Sequence, residues 1–201
     1  MTKNYIFDFG NVLFKFSPAQ MTAAYVKDPD DLKLVASTMF SRFYWDRLDE
    51  GNITDEALKA DALPRLPERL REAGRMVYDH WYENLEEIEG MRALVTDIKN
   101  AGHPIYVLSD ISIGFAENYT KVPALKSMFD LFDGVVLSGP LHMCKRGTEI
   151  FRYLLNKYGL NGNDCTFIDD YPLNILNCSA VGIHGYRFDG DTEKLRRHIF
   201  G

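Results

Sequence analysis

The residues that could do chemistry in this chain are Asp8 in YIFDFGNVLF, Ser109-Asp110 in YVLSD, Lys145 in CKRGTEIF and Asp169-Asp170 in FIDD. Carboxylates gathered from separate segments are the hard oxygen ligands that Mg²⁺ takes, with water and a substrate phosphate completing the shell. A hydroxyl and an ammonium beside them would hold an anionic oxygen and offset charge developing on it. By residue type alone, this is a set for Mg²⁺-assisted phosphoryl chemistry. Each member has a plainer fate when taken singly. A strand-end aspartate caps a helix, Ser109 is a turn hydroxyl, Lys145 is a solvated surface lysine and Asp169-Asp170 caps the helix that follows. The chemical reading needs all of them at one place, so the elements that carry them decide the matter.

Those elements read as alternating strands and helices. Short apolar runs at 4–9, 104–110, 133–138, 165–170 and 183–188 are predicted strands, and Asp8, Ser109-Asp110 and Asp169-Asp170 stand at the ends of three of them. Helices are predicted at 91–100, 148–158 (closed by Gly159), 172–181 and from Asp191 onward. Strands alternating with helices in this way predict an α/β fold, a Rossmann-like parallel sheet with helices on both faces. In such a sheet ligands bind beyond the carboxyl ends of the strands, where the polar groups fall. Residues 17–85 break the alternation. Ser17-Pro18 and Asp28-Pro29-Asp30-Asp31 are helix starts, and helical patterns follow at 32–48, 54–63 and 67–82, with Asp49-Glu50-Gly51-Asn52 as a turn among them. The expected organisation is a core of 1–16 and 86–201 with a small all-helical cap insertion at 17–85.

Bulk properties exclude several classes. A net charge of −6 with scattered Lys and Arg predicts no nucleic-acid partner. No segment approaches the ~20 apolar residues of a membrane span, and the first apolar run is short and broken by Asp8, so neither a membrane protein nor a signal peptide is expected. Three cysteines without a CxxC spacing argue for reduced thiols and a cytoplasmic location. A monomer or a homodimer is expected.

The segments FDFGNVL, VLSD, KRGTEIF and FIDDYPLN, in this order, resemble the four motifs of the haloacid dehalogenase superfamily, and WDRLDEGNITDEAL is similar to the helical cap of the branch whose cap follows the first strand. The resemblance spans essentially the whole chain. It implies a Rossmann-like core with a four-helix cap over the site, and a phosphatase acting on a small phosphorylated metabolite through an aspartyl-phosphate. It also implies roles: Asp8 as nucleophile, and Asp8, the Gly10 carbonyl, Asp169 and Asp170 around Mg²⁺. Ser109, with Asp110 and Asn11 beside it, would meet the phosphoryl group, and Lys145 would stabilise Asp8 and the transferring group. Asn174 would support from behind or pack the helix.

Three positions depart from the family pattern. Arg146 stands where proline usually follows the lysine, and Asp110 where asparagine usually follows the serine; these two are candidates to pair. Gly10 stands where most family phosphatases carry a second aspartate, the general acid–base, whose help is typically worth ~10²–10⁴-fold. Three consequences are open. Turnover is slower, with a metal-bound water, Asp46 or His80 assisting; the substrate has a good leaving group; or the chain binds a phosphometabolite without cleaving it. Relatives with Gly-Asn here include sugar-phosphate phosphatases, which favours a slow or selective phosphatase over the sensor. A phosphomutase needs the missing acid–base more, and a dehalogenase needs no metal and does not share the acidic pair. Phe43, Tyr44, Trp45, His80 and Trp81 are candidate cap residues facing the leaving group, against the simpler expectation that they fill the cap's own core.

Overall fold

The computed structural model describes residues 3–201. One parallel sheet has the strand order β3-β2-β1-β4-β5, built from β1 (Asn4–Phe7), β2 (Ile105–Ser109), β3 (Gly134–Leu137), β4 (Cys165–Asp169) and β5 (His184–Arg187). Between β1 and β2 run α1 (Pro18–Ala23), α2 (Pro29–Met39), α3 (Arg42–Asp49), α4 (Asp55–Ala62), α5 (Glu68–Asp79) and α6 (Met91–Asn100). Then α7 (Ile113–Asn118) and α8 (Pro123–Phe129) lead to β3, α9 (Glu149–Tyr158) to β4 and α10 (Pro172–Ser179) to β5, and α11 (Thr192–Phe200) follows.

The period of two along each strand sorts its side chains onto two helix layers. Tyr5, Phe7, Ile105, Val107 and Ile168 pack with α6, α8 and α11, in one apolar body continuous with the inserted helices. Ile6, Tyr106, Leu108, Val136 and Phe167 pack with Ile150, Phe151 and Leu154 of α9 and Cys178 of α10. Each such side chain contributes about 1.5–3 kcal/mol by leaving water. With both faces covered, the strand ends are where polar groups can gather. The register aligns them: Phe7 pairs with Val107 and Ile168, so Asp8, Ser109 and Asp169 finish adjacent strands at one edge.

The insertion enters and leaves by a narrow neck. Lys15 N–H donates to the Glu86 carbonyl at 2.8 Å and Ile88 N–H to that of Leu13 at 2.9 Å. The helix predicted over 32–48 is two helices, because Ser41 is extended and its hydroxyl caps α3 by accepting from Phe43 N–H at 3.4 Å. Five α-helices lie in 18–79, where the family resemblance implied four. The short helices α7 and α8 were not foreseen. Among the described residues no helix is long and apolar enough to cross a membrane.

The end of α3 is fastened to the sheet edge. Buried Ser138, just past β3, donates its hydroxyl to the Asp49 carbonyl at 2.6 Å and accepts from Ile111 N–H at 2.8 Å. Gly51 follows with φ +68°, and a Cβ there would lie 2.3 Å from the Gly139 carbonyl oxygen. The turn therefore needs glycine for conformation and for space. Ser138→Ala leaves a buried carbonyl and a buried N–H without their partner, at about 1–3 kcal/mol. Urea unfolding should show a loss of stability in that range with an unchanged slope.

Candidate active site

Asp8 follows β1 directly, and its N–H donates to the Ile168 carbonyl at 2.9 Å, which fixes the carboxylate at the sheet edge. The chain then turns back on itself. Asn11 takes a left-handed conformation (φ +56°), which asparagine tolerates. Its amide is used at both ends: the oxygen accepts from Phe16 N–H at 3.0 Å and the nitrogen donates to Asp170 at 3.2 Å. Gly10 has no positive φ, and a Cβ there would meet only Phe16 Cβ at 3.7 Å, an ordinary contact. Backbone geometry therefore does not demand glycine at this position.

Lys145 is the centre of the cluster. Its ammonium, 2% exposed, donates to Asp8 Oδ1 at 2.6 Å and to Asp169 Oδ2 at 2.7 Å. Both sides of its own backbone are held. Its N–H donates to Asp110 Oδ1 at 2.9 Å, and its carbonyl accepts from Asn177 at 2.9 Å. Asp169 also accepts from Tyr171 N–H at 2.7 Å and from the Asn174 amide at 3.0 Å, so Asn174 does support from behind. Burial alone would discharge Lys145, but Asp169, Asp8 and Asp110 outweigh it and hold the ammonium well above its ordinary range. Burial pushes Asp8 upward, with Lys145 opposing and Asp169 adding to the rise.

Carboxylate oxygens of Asp8, Asp169 and Asp170 all lie within 4.8 Å of one another. Three carboxyl groups, two buried and one half-buried, face one ammonium there, a set made only of hard oxygen donors. Such a donor set fits Mg²⁺. Asp8, Gly10, Asn11, Ser109, Asp110, Lys145 and Asp170 line one cavity of about 490 Å³, so these residues expected from sequence meet there. Asp169 lies just beneath, fully buried.

The far wall of the cavity comes from α3, whose Arg42, Trp45, Asp46 and Asp49 form one helical stripe. Of the five cap residues expected to face the leaving group, only Trp45 lines the cavity. Phe43 is 60% exposed, Tyr44 bonds Asp61, His80 pairs with Glu83 at 3.0 Å, and Trp81 stacks on Phe115. Arg146 and Asp110 do not pair. The guanidinium reaches instead to the Asp46 carbonyl at 3.2 Å and to the Glu50 carboxylate, tying the loop of Lys145 to α3. Burial and then Asp110 push the Cys144 thiol up to about 12, so proximity to Lys145 does not make it reactive. Asp49, which reads from sequence as part of an exposed turn, is buried in the cavity wall. No local pattern announces this; the segment meets Ser138 and Gly139 from across the fold.

Removing the ammonium should leave two buried carboxylates facing each other. Lys145→Met is expected to lose about 3–5 kcal/mol in urea unfolding with chelator present. A loss under 1 kcal/mol would mean that the cluster relaxes without its cation.

Comparison with known proteins gives the family. A family model described as haloacid dehalogenase-like hydrolase matches residues 2–176. A sesquiterpene phosphatase of Aspergillus oryzae is 24% identical over 183 residues, covering 90% of this chain and 86% of that protein. A 5'-nucleotidase of Pseudomonas aeruginosa is 29% identical over 148 residues, 72% of this chain; the match spans 62% of the nucleotidase. Among solved structures, a haloacid dehalogenase family enzyme of Bacteroides thetaiotaomicron, in complex with magnesium and inorganic phosphate, covers 100% of both chains at 17% identity with a TM-score of 0.71. A dehalogenase matches with a TM-score of 0.72 at 16% identity over 94% of this chain and 85% of its own. These structural likenesses concern the fold.

Proposed function

This chain belongs to the haloacid dehalogenase-like hydrolases, and on that premise we propose that it is a Mg²⁺-dependent phosphatase of small phosphomonoesters. The observation that carries the reading is the Lys145 ammonium held between Asp8 and Asp169 at the floor of a cavity of substrate size. Asp8 is the nucleophile. One carboxylate oxygen attacks phosphorus, the ester P–O bond breaks, and an aspartyl-phosphate forms that water then hydrolyses. Lys145 orients Asp8 and offsets charge on the transferring group, and Ser109 and the neighbouring backbone hold its oxygens. Asp8, the Gly10 carbonyl, Asp169 and Asp170 would hold the metal, which when bound neutralises phosphoryl charge and fixes the group for in-line attack.

Residues 17–85 act as the cap, and 1–16 with 86–201 as the core. The cap side of the cavity combines Phe16 and Trp45 with Arg42 and Asp46, and Tyr171 and Leu173 add apolar surface at the rim. A leaving group with both a ring or apolar face and hydroxyls suits that lining. Sugar phosphates are the first choice, and the relatives named above put nucleotides and terpenyl phosphates beside them on the panel.

The test is phosphate release across that panel, with and without Mg²⁺. Wild type should turn over at least one ester, chelation should abolish release, and Asp8→Asn should lower the rate about a thousandfold or more while its melting curve stays unchanged. Release that survives Asp8→Asn would overturn the nucleophile assignment. Ligand binding with no release from any ester would favour a phosphometabolite sensor instead.

A further inference from the structure

We propose that Asp49 is the general acid–base of this site, replacing from the cap the side chain missing at Gly10. The inference rests on the phosphatase reading above and deepens it.

Three observations carry it. First, in-line attack by Asp8 puts the ester oxygen opposite Asp8 across the phosphorus, and α3 supplies Arg42, Trp45, Asp46 and Asp49 to the lining of the same cavity. Second, of the acidic residues on that wall, Asp46 Oδ1 is also buried without a hydrogen bond among the described residues but is ion-paired with Arg42 at 2.7 Å and Arg146 at 3.5 Å, which Asp49 is not. Asp49 is 9% exposed, lines the cavity, and keeps its Oδ1 buried with no hydrogen-bond partner among the described residues. A buried, unpartnered carboxyl oxygen is costly in a fold unless it meets something the structure lacks, and here that is the substrate oxygen. Third, the core itself helps to hold Asp49 in place. Ser138 holds its carbonyl at 2.6 Å, and Gly51 packs directly on Gly139. His80, the other sequence candidate, does not line the cavity.

The charged surroundings suit the role. Burial first, and then Asp110, push the Asp49 carboxyl up to about 7, with Asp46 adding and Arg42 and Lys145 opposing. Cys144 at about 12 and Tyr78, higher still, do not titrate near neutrality; His142 is bonded to the Glu50 carbonyl. A group poised near neutrality can give a proton and take it back. In the first half-reaction the ester P–O bond breaks as the Asp49 carboxyl gives its proton to the departing oxygen. In the second, the attacking water gives its proton to the Asp49 carboxylate as its oxygen bonds phosphorus and the Asp8–phosphorus bond breaks. Alcohol and inorganic phosphate leave, and Asp49 ends protonated as it began.

The experiment compares p-nitrophenyl phosphate, whose phenol leaves unaided, with phenyl phosphate, whose phenol needs a proton, all with Mg²⁺. Asp49→Asn should lower kcat/KM on phenyl phosphate by ~10²–10⁴-fold and affect p-nitrophenyl phosphate far less. On phenyl phosphate, wild-type activity should fall as pH rises through about 7, where the acid is lost, and this limb should vanish in Asp49→Asn. Adding Gly10→Asp to Asp49→Asn should restore phenyl phosphate turnover, since the position has room and a merely structural defect would not respond. Equal losses on both esters, no loss on either, or a wild type already as selective as the variant would overturn the proposal. If Asp49→Asn melts early, the wild-type profiles decide, because a limb near pH 7 for both esters or for neither sinks it. If Asp8→Asn is inactive and Asp49→Asn matches wild type, only this inference fails. If wild type and Asp8→Asn are indistinguishable, the phosphatase reading fails with it.

Discussion

An ammonium can stay charged in a protein interior only where acidic groups surround it. Lys145 meets that condition between Asp8 and Asp169, at 2.6 and 2.7 Å. Much of the strand-end architecture serves that arrangement. Asp110 holds the Lys145 backbone on one side and Asn177 on the other; Asn174 and Tyr171 N–H hold Asp169. A parallel sheet covered on both faces leaves its carboxyl edge as the place where so much charge can be collected. The same hydrogen bonds that fix the charges also join the ends of β1, β2 and β4 to the loop before α9.

A second set of contacts joins that edge to the inserted helices. Arg146 reaches Glu50 and the Asp46 carbonyl, Ser138 reaches the Asp49 carbonyl, and Gly51 lies against Gly139. All three converge on the last turn of α3, far in sequence from the neck at residues 13–15 and 86–88. One helix of the insertion is thus held at the site by the core itself, so its cavity-facing stripe has a fixed relation to the strand ends. Arg146, at a position where the family usually has proline, gives up a rigid turn and supplies one of these ties.

Much of this was legible in the sequence because it rests on local patterns. Apolar runs ending in aspartate or serine marked the strands, and the four motifs together brought Asp8, Ser109, Lys145 and Asp169 to one edge. Other features were not legible. Helices α7 and α8 are six and seven residues long, too short for a helical period to stand out. The break at Phe40-Ser41 hides inside a continuous apolar pattern. Residues 49–52 read Asp-Glu-Gly-Asn, the composition of a solvated turn, and nothing nearby says that the first of them is buried against Ser138. Arg146 and Asp110 are a plausible pair by charge alone, yet each finds a different partner once the chain is folded.

On α3, residues 42, 45, 46 and 49 share one face, so a single helix carries both the surface that meets the leaving group and the carboxyl assigned to protonate it. A chimaera that exchanged this insertion for another would, on that assignment, exchange reactivity along with selectivity.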